Sequence, residues 1–273
     1  MTLNCNGKLV DISSPKVMGI LNITPDSFFD GGKYNNETDI LQQVEKMLSE
    51  GATFIDVGAY SSRPGATHIS ETEELQRIVP IIKLLVKNFP KIIISVDTFR
   101  SNIAEKSIKT GAAIINDISG GKMDDNMFKT VAKLQVPYIM MHMLRTPQNM
   151  QKNPVYEDVT KELISFFAAQ ISKLKQLKVN DVIIDVGFGF GKTIEHNYKL
   201  LKDLALFKNL DTPILAGISR KSMLYKPLEI TPQLALNATT SANTIALLNG
   251  ANILRVHDVK EAMEAIKIVE QLS

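Results

Sequence analysis

The sequence predicts a (β/α)8 TIM barrel, and three observations support this fold class. Short β-branched runs recur eight times between about residues 16 and 272, each followed by a segment with helical spacing of apolar residues. Each unit has about 32 residues, which is the size of a strand–helix repeat. The runs are almost continuously apolar, as is typical of parallel strands buried on both faces. Eight units close a barrel, and an open doubly wound sheet is the alternative.

The elements follow each other without a linker or low-complexity tract, so we predict a single domain over residues 1–273. Glycines 51, 111 and 250 stand where helices should end before the next strand. Residues 3–12 carry Asn6-Gly7 at their centre, which predicts a short β-hairpin that precedes the barrel. The predicted strands begin at Val17, Thr53, Ile92, Ala113, Tyr138, Val182, Pro213 and Asn252.

The composition excludes several classes of protein. Of 273 residues, 44% are apolar and 22% are charged, which is close to the globular average and excludes disorder, collagen and small disulfide scaffolds. The 31 basic and 29 acidic residues nearly balance, which argues against a nucleic-acid-binding surface. Cys5 is the single cysteine, no apolar run approaches the ~20 residues of a membrane helix, and no signal peptide is evident. We therefore expect a soluble cytoplasmic protein with no nucleic-acid or membrane partner.

Polar side chains capable of chemistry occur near the carboxyl ends of the predicted strands. Active sites of such barrels lie at this rim, and ionisable groups on buried strands are costly unless they are paired or used. A cluster at one end of eight strands is hard to explain by stability alone. Its members are Asn22, Asp56, Asp97, Asn116, Asp117, His142, Asp185, Ser219, Arg220, Lys221, Arg255 and His257.

Structural roles are the alternative for several of these residues. Asp97 could cap a helix, Asn116 could satisfy turn backbone, and Asp185 could brace the glycine-rich turn that follows it. Asp56 is interpreted mainly as structural. His142 could equally be a satisfied core histidine or a site residue.

Several familiar motifs are not met. Residues 187–193 resemble a phosphate-binding Walker A loop, but Val186 stands where the first glycine is required, and Lys192 breaks the dinucleotide-binding pattern. One cysteine and four scattered histidines give no zinc spacing. A Schiff base on Lys221, as in an aldolase, is a further alternative.

The residue types at the rim divide into two halves. Asp97, Asn116 and Asp185 offer acceptors that suit a flat heterocycle with a guanidine-like edge, and Lys221 can donate to a ring carbonyl or nitrogen. Cationic side chains together with one amide oxygen suit a diphosphate and Mg²⁺. The pattern indicates displacement of pyrophosphate from a nitrogen heterocycle. The residues of the anion half are Asn22, Arg63, Arg255 and His257.

Seven segments, in order along the chain, are similar to the motif set of the dihydropteroate synthases. Any one of them is modest evidence, but seven in register cover nearly the whole sequence. They are NITPDSFFDGG (22–32), SSRPGA (61–66), SVDTFR (95–100), INDISGG (115–121), DVGFGFGK (185–192), GISRKSML (217–224) and RVHDV (255–259).

The resemblance implies a homodimeric transferase of folate biosynthesis. It would condense 6-hydroxymethyl-7,8-dihydropterin diphosphate with 4-aminobenzoate and release pyrophosphate. The residues implied for the pterin are Asp97, Asn116, Met140, Asp185, Phe190, Gly217 and Lys221. Those implied for the diphosphate are Arg63, Arg255 and His257, and for the aminobenzoate Phe28, Ser62, Pro64 and Ser219. Asn22 would bind Mg²⁺, and the catalytic residues would be Asp97, Lys221, Arg255 and His257.

Two segments depart from the family pattern. Val186 replaces a usual proline, and Ala59-Tyr60-Ser61-Ser62 replaces a usual Gly-Glu-Ser-Thr type of run. Neither change removes a reacting group, so activity is the prediction. The alternatives are a catalytically idle pterin-binding homologue and a tetrahydrofolate-dependent methyltransferase.

Overall fold

The computed structural model describes residues 1–23, 37–60 and 68–272. Within these ranges eight parallel strands form a closed barrel, which confirms the predicted fold class. The barrel strands are β3 (Lys16–Asn22), β4 (Phe54–Gly58), β5 (Ile94–Asp97), β6 (Ile114–Asp117), β7 (Tyr138–Met141), β8 (Val182–Asp185), β9 (Ile214–Ala216) and β10 (Ile253–Val256). Each strand pairs with its neighbour in the sequence, and β10 pairs with β3 to close the ring.

Helices follow the barrel strands around the outside. Two features go beyond simple alternation: a 3-10 helix at Leu204–Leu210, and two α-helices with a 3-10 turn (Pro232–Leu234) between β9 and β10. No helix in the described ranges combines the length and apolar character needed to cross a membrane. The α-helices are α1 (Glu37–Ser49), α2 (Glu71–Asn88), α3 (Ser101–Thr110), α4 (Met127–Leu134), α5 (Val159–Gln176), α6 (Ile194–Lys202), α7 (Ser222–Tyr225), α8 (Leu236–Leu248) and α9 (Val259–Glu270).

The glycines predicted to end helices have left-handed backbone conformations. Gly51, Gly111 and Gly250 have φ values of 106°, 122° and 95°, and glycine adopts such values without a steric penalty. At the end of α3 the Gly111 N–H donates to the carbonyls of Ser107 and Ile108. The chain therefore leaves each of these helices where the sequence predicts.

The N-terminal hairpin closes the amino end of the barrel. Strands β1 (Thr2–Cys5) and β2 (Lys8–Asp11) pair antiparallel, and both turn residues, Asn6 and Gly7, have positive φ values of 54° and 84°. Leu3 and Val10 pack in one buried cluster with side chains from the amino-terminal halves of the barrel strands, such as Phe54. A site for substrates is therefore expected at the opposite rim.

A buried ion pair connects α2 to the segment that follows β5. Glu74, in the first turn of α2, is fully buried, accepts a hydrogen bond from Thr98 Oγ1 at 2.7 Å, and pairs with the Arg100 guanidinium. Arg100 also donates to the Ile69 carbonyl at 2.8 Å and lies over the Phe99 ring at 5.1 Å. These contacts hold the chain that immediately follows Asp97, at the carboxyl rim.

Replacing Glu74 with alanine should destabilise the fold, because it leaves Arg100 and Thr98 without their buried acceptor. We expect the free energy of unfolding to fall by about 3–5 kcal/mol. Glu73→Ala is the matched control, because Glu73 is 45% exposed and its pair with Arg77 is worth less than about 0.5 kcal/mol. Urea unfolding followed by circular dichroism measures both, and equal midpoints for the two variants would contradict the prediction.

Candidate active site

Asn22 and Asp97 lie close together at the carboxyl rim, on either side of β4. They end β3 and β5, and Gly58 ends the strand between them. A Cβ placed on Gly58 would lie 3.6 Å from Asn22 Oδ1 and 3.6 Å from Asp97 Oδ2. Because Gly58 has no side chain, these two oxygens can face the same space above the barrel.

Arg255 joins the side chains of four strands into one network. Its Nε donates to Asp56 Oδ2 at 2.7 Å, and a terminal nitrogen donates to Asp97 Oδ2 at 3.1 Å. The same Asp56 oxygen accepts from Asn116 Nδ2 at 3.0 Å. Strands β4, β5, β6 and β10 are thereby linked through their side chains, and Asp56 is the shared acceptor.

Burial dominates the electrostatics of this network. It raises the pKa of Asp97 to about 7, together with repulsion from Asp56 and against the attraction of Arg255. Burial alone would lower the pKa of Arg255, but the carboxylates of Asp56 and Asp97 outweigh it and raise that pKa. Arg255 therefore stays charged, and Asp97 can take up or release a proton near neutral pH.

Asp56 has a structural role, as the sequence indicates, and the structure shows which side chains it holds. Its carboxylate is fully buried, Oδ2 accepts from two predicted site residues, and the buried Oδ1 meets no donor in the parts of the chain that the structure describes. Asp56 lies in a strand run whose other members are apolar, and this was the available signal. Its partner Arg255 is 199 positions away in the sequence, so no local pattern could identify the pair.

Asp185 and Lys221 form a second group on the same rim. Asp185 Oδ1 accepts from the Gly187 N–H at 2.7 Å, and Lys221 Nζ donates to the Phe188 carbonyl at 2.5 Å. A Cβ on Gly217 would lie 3.6 Å from Asp185 Oδ2 and 3.8 Å from Lys221 Nζ. The acid and the amine therefore border one space, and the absence of a side chain at Gly217 keeps that space open.

Burial shifts both of these titrating groups towards their neutral forms. It raises the pKa of Asp185, against the attraction of Lys221 and the Gly187 hydrogen bond. It lowers the pKa of Lys221 to about 8, against the attraction of Asp185. The Lys221 ammonium also lies 4.8 Å from the centre of the Phe190 ring, which is a stabilising cation–π distance.

Ser219 and His257 are in direct contact. Ser219 Oγ lies 3.0 Å from His257 Nδ1 and accepts from the His257 backbone N–H at 3.2 Å. Ser219, which the resemblance assigns to the aminobenzoate, therefore contacts His257, which it assigns to the diphosphate.

Arg220, between Ser219 and Lys221, serves the fold. Its guanidinium makes two hydrogen bonds of 2.8 Å to Asp258 and donates to the Pro232 and Gln233 carbonyls. Its φ of 55° is left-handed, a conformation that costs energy for a residue with a side chain. These bonds anchor the segment that presents Lys221 to the rim.

The remaining candidates fall into three groups. Phe190 is half-buried beside Lys221. Met140 is buried in the main core with Tyr138 and Ile184, on the face of β7 turned to the helices, so it does not line the pterin half. The next residue, Met141, lies on the same face of the sheet as its partner Asp185 and packs in the cluster that Phe190 contacts. Asp117 braces its own loop by accepting from Ser119, Gly121 and Tyr138. His142 is buried, and burial followed by the charge of Lys192 lowers its pKa to about 2, so it is a neutral structural histidine. Phe28, Ser62, Arg63 and Pro64 lie outside the described residues.

Comparisons with known proteins identify the family of this chain. A family described as pterin binding enzyme matches residues 18–257. The dihydropteroate synthase of Escherichia coli strain K12 is 43% identical over 272 residues, which are 99% of this chain and 96% of that protein. The dihydropteroate synthase of Haemophilus influenzae is 41% identical over 270 residues, covering 98% of each.

Solved structures give the same result. The Yersinia pestis dihydropteroate synthase with a sulfonamide drug has a TM-score of 0.95 and 43% identity, covering 100% of this chain and 99% of that one. The Xanthomonas albilineans dihydropteroate synthase in complex with 7,8-dihydropteroate has a TM-score of 0.88 and 32% identity, covering 100% and 98%. The chain therefore belongs to the pterin-binding enzymes and, within them, to the dihydropteroate synthases.

Proposed function

We propose that the rim described above joins 6-hydroxymethyl-7,8-dihydropterin diphosphate to 4-aminobenzoate, forming dihydropteroate and releasing pyrophosphate. The observation that carries the proposal is that an acceptor-rich group and a cationic group share one barrel rim, with Arg255 bonded to both Asp56 and Asp97. Relatives from Xanthomonas albilineans have been solved with 4-aminobenzoic acid and with 7,8-dihydropteroate, which are the acceptor and product of this reaction.

The pterin half combines several acceptors with one donor. A pterin presents ring N–H and amino groups, for which Asp97, Asn116 and Asp185 supply oxygens. Lys221 supplies the donor for a ring carbonyl or nitrogen. The open space at Gly217, between Asp185 and Lys221, suits a flat ring. Phe190, and Met141 on the same face of the sheet as Asp185, supply apolar walls for this half.

The diphosphate half is cationic. A guanidinium has five N–H donors, of which Asp56 and Asp97 accept two, so Arg255 retains donors for an anion. His257 is oriented by Ser219, and we propose that it meets the same anion. Arg63, which the family resemblance also assigns to the diphosphate, lies outside the described residues.

Mg²⁺ is the proposed cofactor, and Asn22 is the residue that would hold it. Mg²⁺ takes oxygen ligands and usually keeps several waters beside one or two protein oxygens and substrate phosphates. The Asn22 amide oxygen, which borders the same space as Asp97 Oδ2, fits this preference for few protein oxygens. The described residues contain no cluster of three or more His, Cys, Asp or Glu that could hold a metal. When bound, Mg²⁺ would neutralise charge on the diphosphate.

The reaction needs no protein nucleophile. The carbon–oxygen bond to the diphosphate breaks, and its electron pair leaves with pyrophosphate, against which Arg255 and His257 place positive charge and donors. The carboxylates of Asp97 and Asp185 favour the positive charge that develops on the pterin methylene. The amine of 4-aminobenzoate supplies the electron pair of the new carbon–nitrogen bond and loses one proton. Positioning and charge stabilisation then account for the acceleration.

We also propose that two copies of the chain associate through α8. This helix has no charged residue, and Ile245 and Leu248 on it are 46% and 55% exposed. Exposed apolar side chains on an uncharged helix are typical of interface cores. The mass of the protein in solution tests this proposal.

A cytoplasmic location is proposed on the cysteine content. The one cysteine, Cys5, is buried and unpaired, which is compatible with a reducing compartment.

Purified protein supplied with pterin diphosphate, 4-aminobenzoate and Mg²⁺ should form dihydropteroate and pyrophosphate in equal amounts. Chromatography of the product and a coupled pyrophosphate assay measure the two. Omitting 4-aminobenzoate should abolish pyrophosphate release, and omitting Mg²⁺ should reduce turnover. Pterin binding without any product would instead indicate the idle homologue, and methyl transfer from a tetrahydrofolate would indicate the methyltransferase.

The pH profile of kcat/KM should fall on the alkaline side near pH 8. The pKa of Lys221 is lowered to about 8 by burial, so its ammonium loses the proton, and the positive charge, as the pH rises through that value. Lys221→Arg should move this limb to higher pH, because arginine stays charged. Lys202→Arg, at an exposed site, is the control. A limb that is unchanged in Lys221→Arg would remove Lys221 from the scheme.

Asp56→Asn should impair catalysis although Asp56 is assigned no contact with substrate. The amide keeps the shape but loses the charge that Arg255 and Asn116 share, so both partners lose an anionic acceptor. We expect kcat/KM to fall about 10- to 100-fold, equivalent to about 1.4–2.8 kcal/mol. Steady-state kinetics measure this fall, and the exposed Asp125→Asn is the control. Wild-type kinetics in Asp56→Asn would show that the network is dispensable.

A further inference from the structure

The turn that follows β8 has an unusual set of hydrogen bonds. Five consecutive backbone carbonyls, from Gly187 to Gly191, each accept a hydrogen bond from a side chain. The donors, in order along the turn, are Lys192 Nζ at 3.0 Å, Lys221 Nζ at 2.5 Å, Gln151 Nε2 at 2.5 Å, Lys192 Nζ at 3.0 Å and Tyr156 OH at 2.9 Å.

Glycines at alternate positions make this arrangement possible. Gly187, Gly189 and Gly191 have φ values of 69°, 81° and 64°. A Cβ on Gly187 would lie 2.1 Å from the His142 carbonyl oxygen, and one on Gly191 would lie 2.6 Å from Leu144 Cβ. The turn is thus pressed against the chain that follows β7, and a side chain at either glycine would displace it.

Lys192 is the buried centre of this set. Lys192 is only 4% exposed. In addition to the carbonyls of Gly187 and Phe190, its Nζ donates to the His142 carbonyl at 3.2 Å. The same Nζ lies 3.3 Å from His142 Nδ1. The three carbonyls can only accept hydrogen bonds, and together they match the three N–H donors of a charged ammonium, whereas a neutral amine has two. The geometry therefore fits the charged form.

Lys192 also acts electrostatically on Asp185, the last residue of β8. Three cationic groups act on the Asp185 carboxylate: Lys221, Arg255 and Lys192, and each lowers its pKa against the effect of burial. In return, burial lowers the pKa of Lys192 to about 7, and Asp185 opposes that shift, while Lys221 and Lys122 add to it. Lys192 is thus a buried cation bound to the turn whose residues Phe188 and Phe190 contact Lys221.

We infer that Lys192 is a positioning residue for pterin binding. Its hydrogen bonds to the carbonyls of Gly187 and Phe190 fix the turn, and so position the Phe190 ring and the Phe188 carbonyl to which Lys221 donates. Its positive charge favours the ionised form of Asp185. The inference rests on the proposed function, because it names how the pterin half of that site is built. The roles of Asp185 and Lys221 do not themselves require a second buried lysine.

Lys192→Met tests the inference, because it keeps the apolar stem and removes the ammonium. We expect the KM and the Kd for pterin diphosphate to rise about tenfold or more, because three buried carbonyls lose a charged donor. The KM for 4-aminobenzoate should change less than about twofold, since its proposed contacts lie elsewhere. The acid limb of kcat/KM, to which both Asp97 and Asp185 contribute, should move to higher pH, because Asp185 loses a neighbouring positive charge.

Lys192→Gln separates hydrogen bonding from charge. The neutral amide keeps a donor, so the rise in pterin KM should be smaller than in Lys192→Met, while the acid limb should shift as far. Lys202→Met, which removes an exposed lysine, should change neither quantity. Circular dichroism and thermal unfolding show whether each variant is folded, and Lys192→Gln carries the test if Lys192→Met is not.

Three results would overturn the inference. One is a folded variant with unchanged pterin affinity and an unchanged acid limb. Another is an equal rise in both KM values, and the third is unfolding of both variants, since either would assign Lys192 to general stability. Titration of pterin diphosphate alone measures affinity without turnover, so a wild type that bound the pterin but formed no product would count against the proposed function and not against this role.

Discussion

The ion pair between Asp56 and Arg255 is the interaction on which the rest of the site depends. Removing two charges from water is costly, and the cost is offset only when geometry and further hydrogen bonds are good. Here the Asp56 carboxylate also accepts from Asn116, and Arg255 also donates to Asp97. One buried carboxylate thus sets the positions of side chains from three other strands, including one acid whose pKa burial raises to about 7.

A second constraint is the turn after β8, in which lysines donate to backbone carbonyls. Burial lowers the pKa of both Lys221 and Lys192. Lys192 donates to three carbonyls, and Lys221 donates to the Phe188 carbonyl. Glycine is required because the left-handed conformations and the close approach of the His142 carbonyl exclude a Cβ. Val186, which stands in place of the usual proline, is fully buried in the core, and the turn that it begins is held by side-chain donors.

The barrel explains why these groups meet. Parallel strands place all their carboxyl ends at one rim, and the hairpin of β1 and β2 packs at the other end. Residues that are distant in the chain, such as Ser219 and His257, therefore come into contact at 3.0 Å. The match to dihydropteroate synthases extends over nearly the whole chain, so it includes the barrel strands together with the segments that follow them.

The sequence by itself determined the barrel, the hairpin and the strand ends on which polar residues lie, because apolar periodicity and turn chemistry are local properties. It also identified Asp97, Asn116, Asp185, Lys221, Arg255 and His257 as residues of one rim. Tertiary structure alone decided that Asp56 holds Arg255, that Arg220 turns away to Asp258, and that Lys192 binds the carbonyls of its own turn. These contacts depend on strand register and barrel closure, which set distances between residues far apart in the chain, and no spacing in the sequence encodes them.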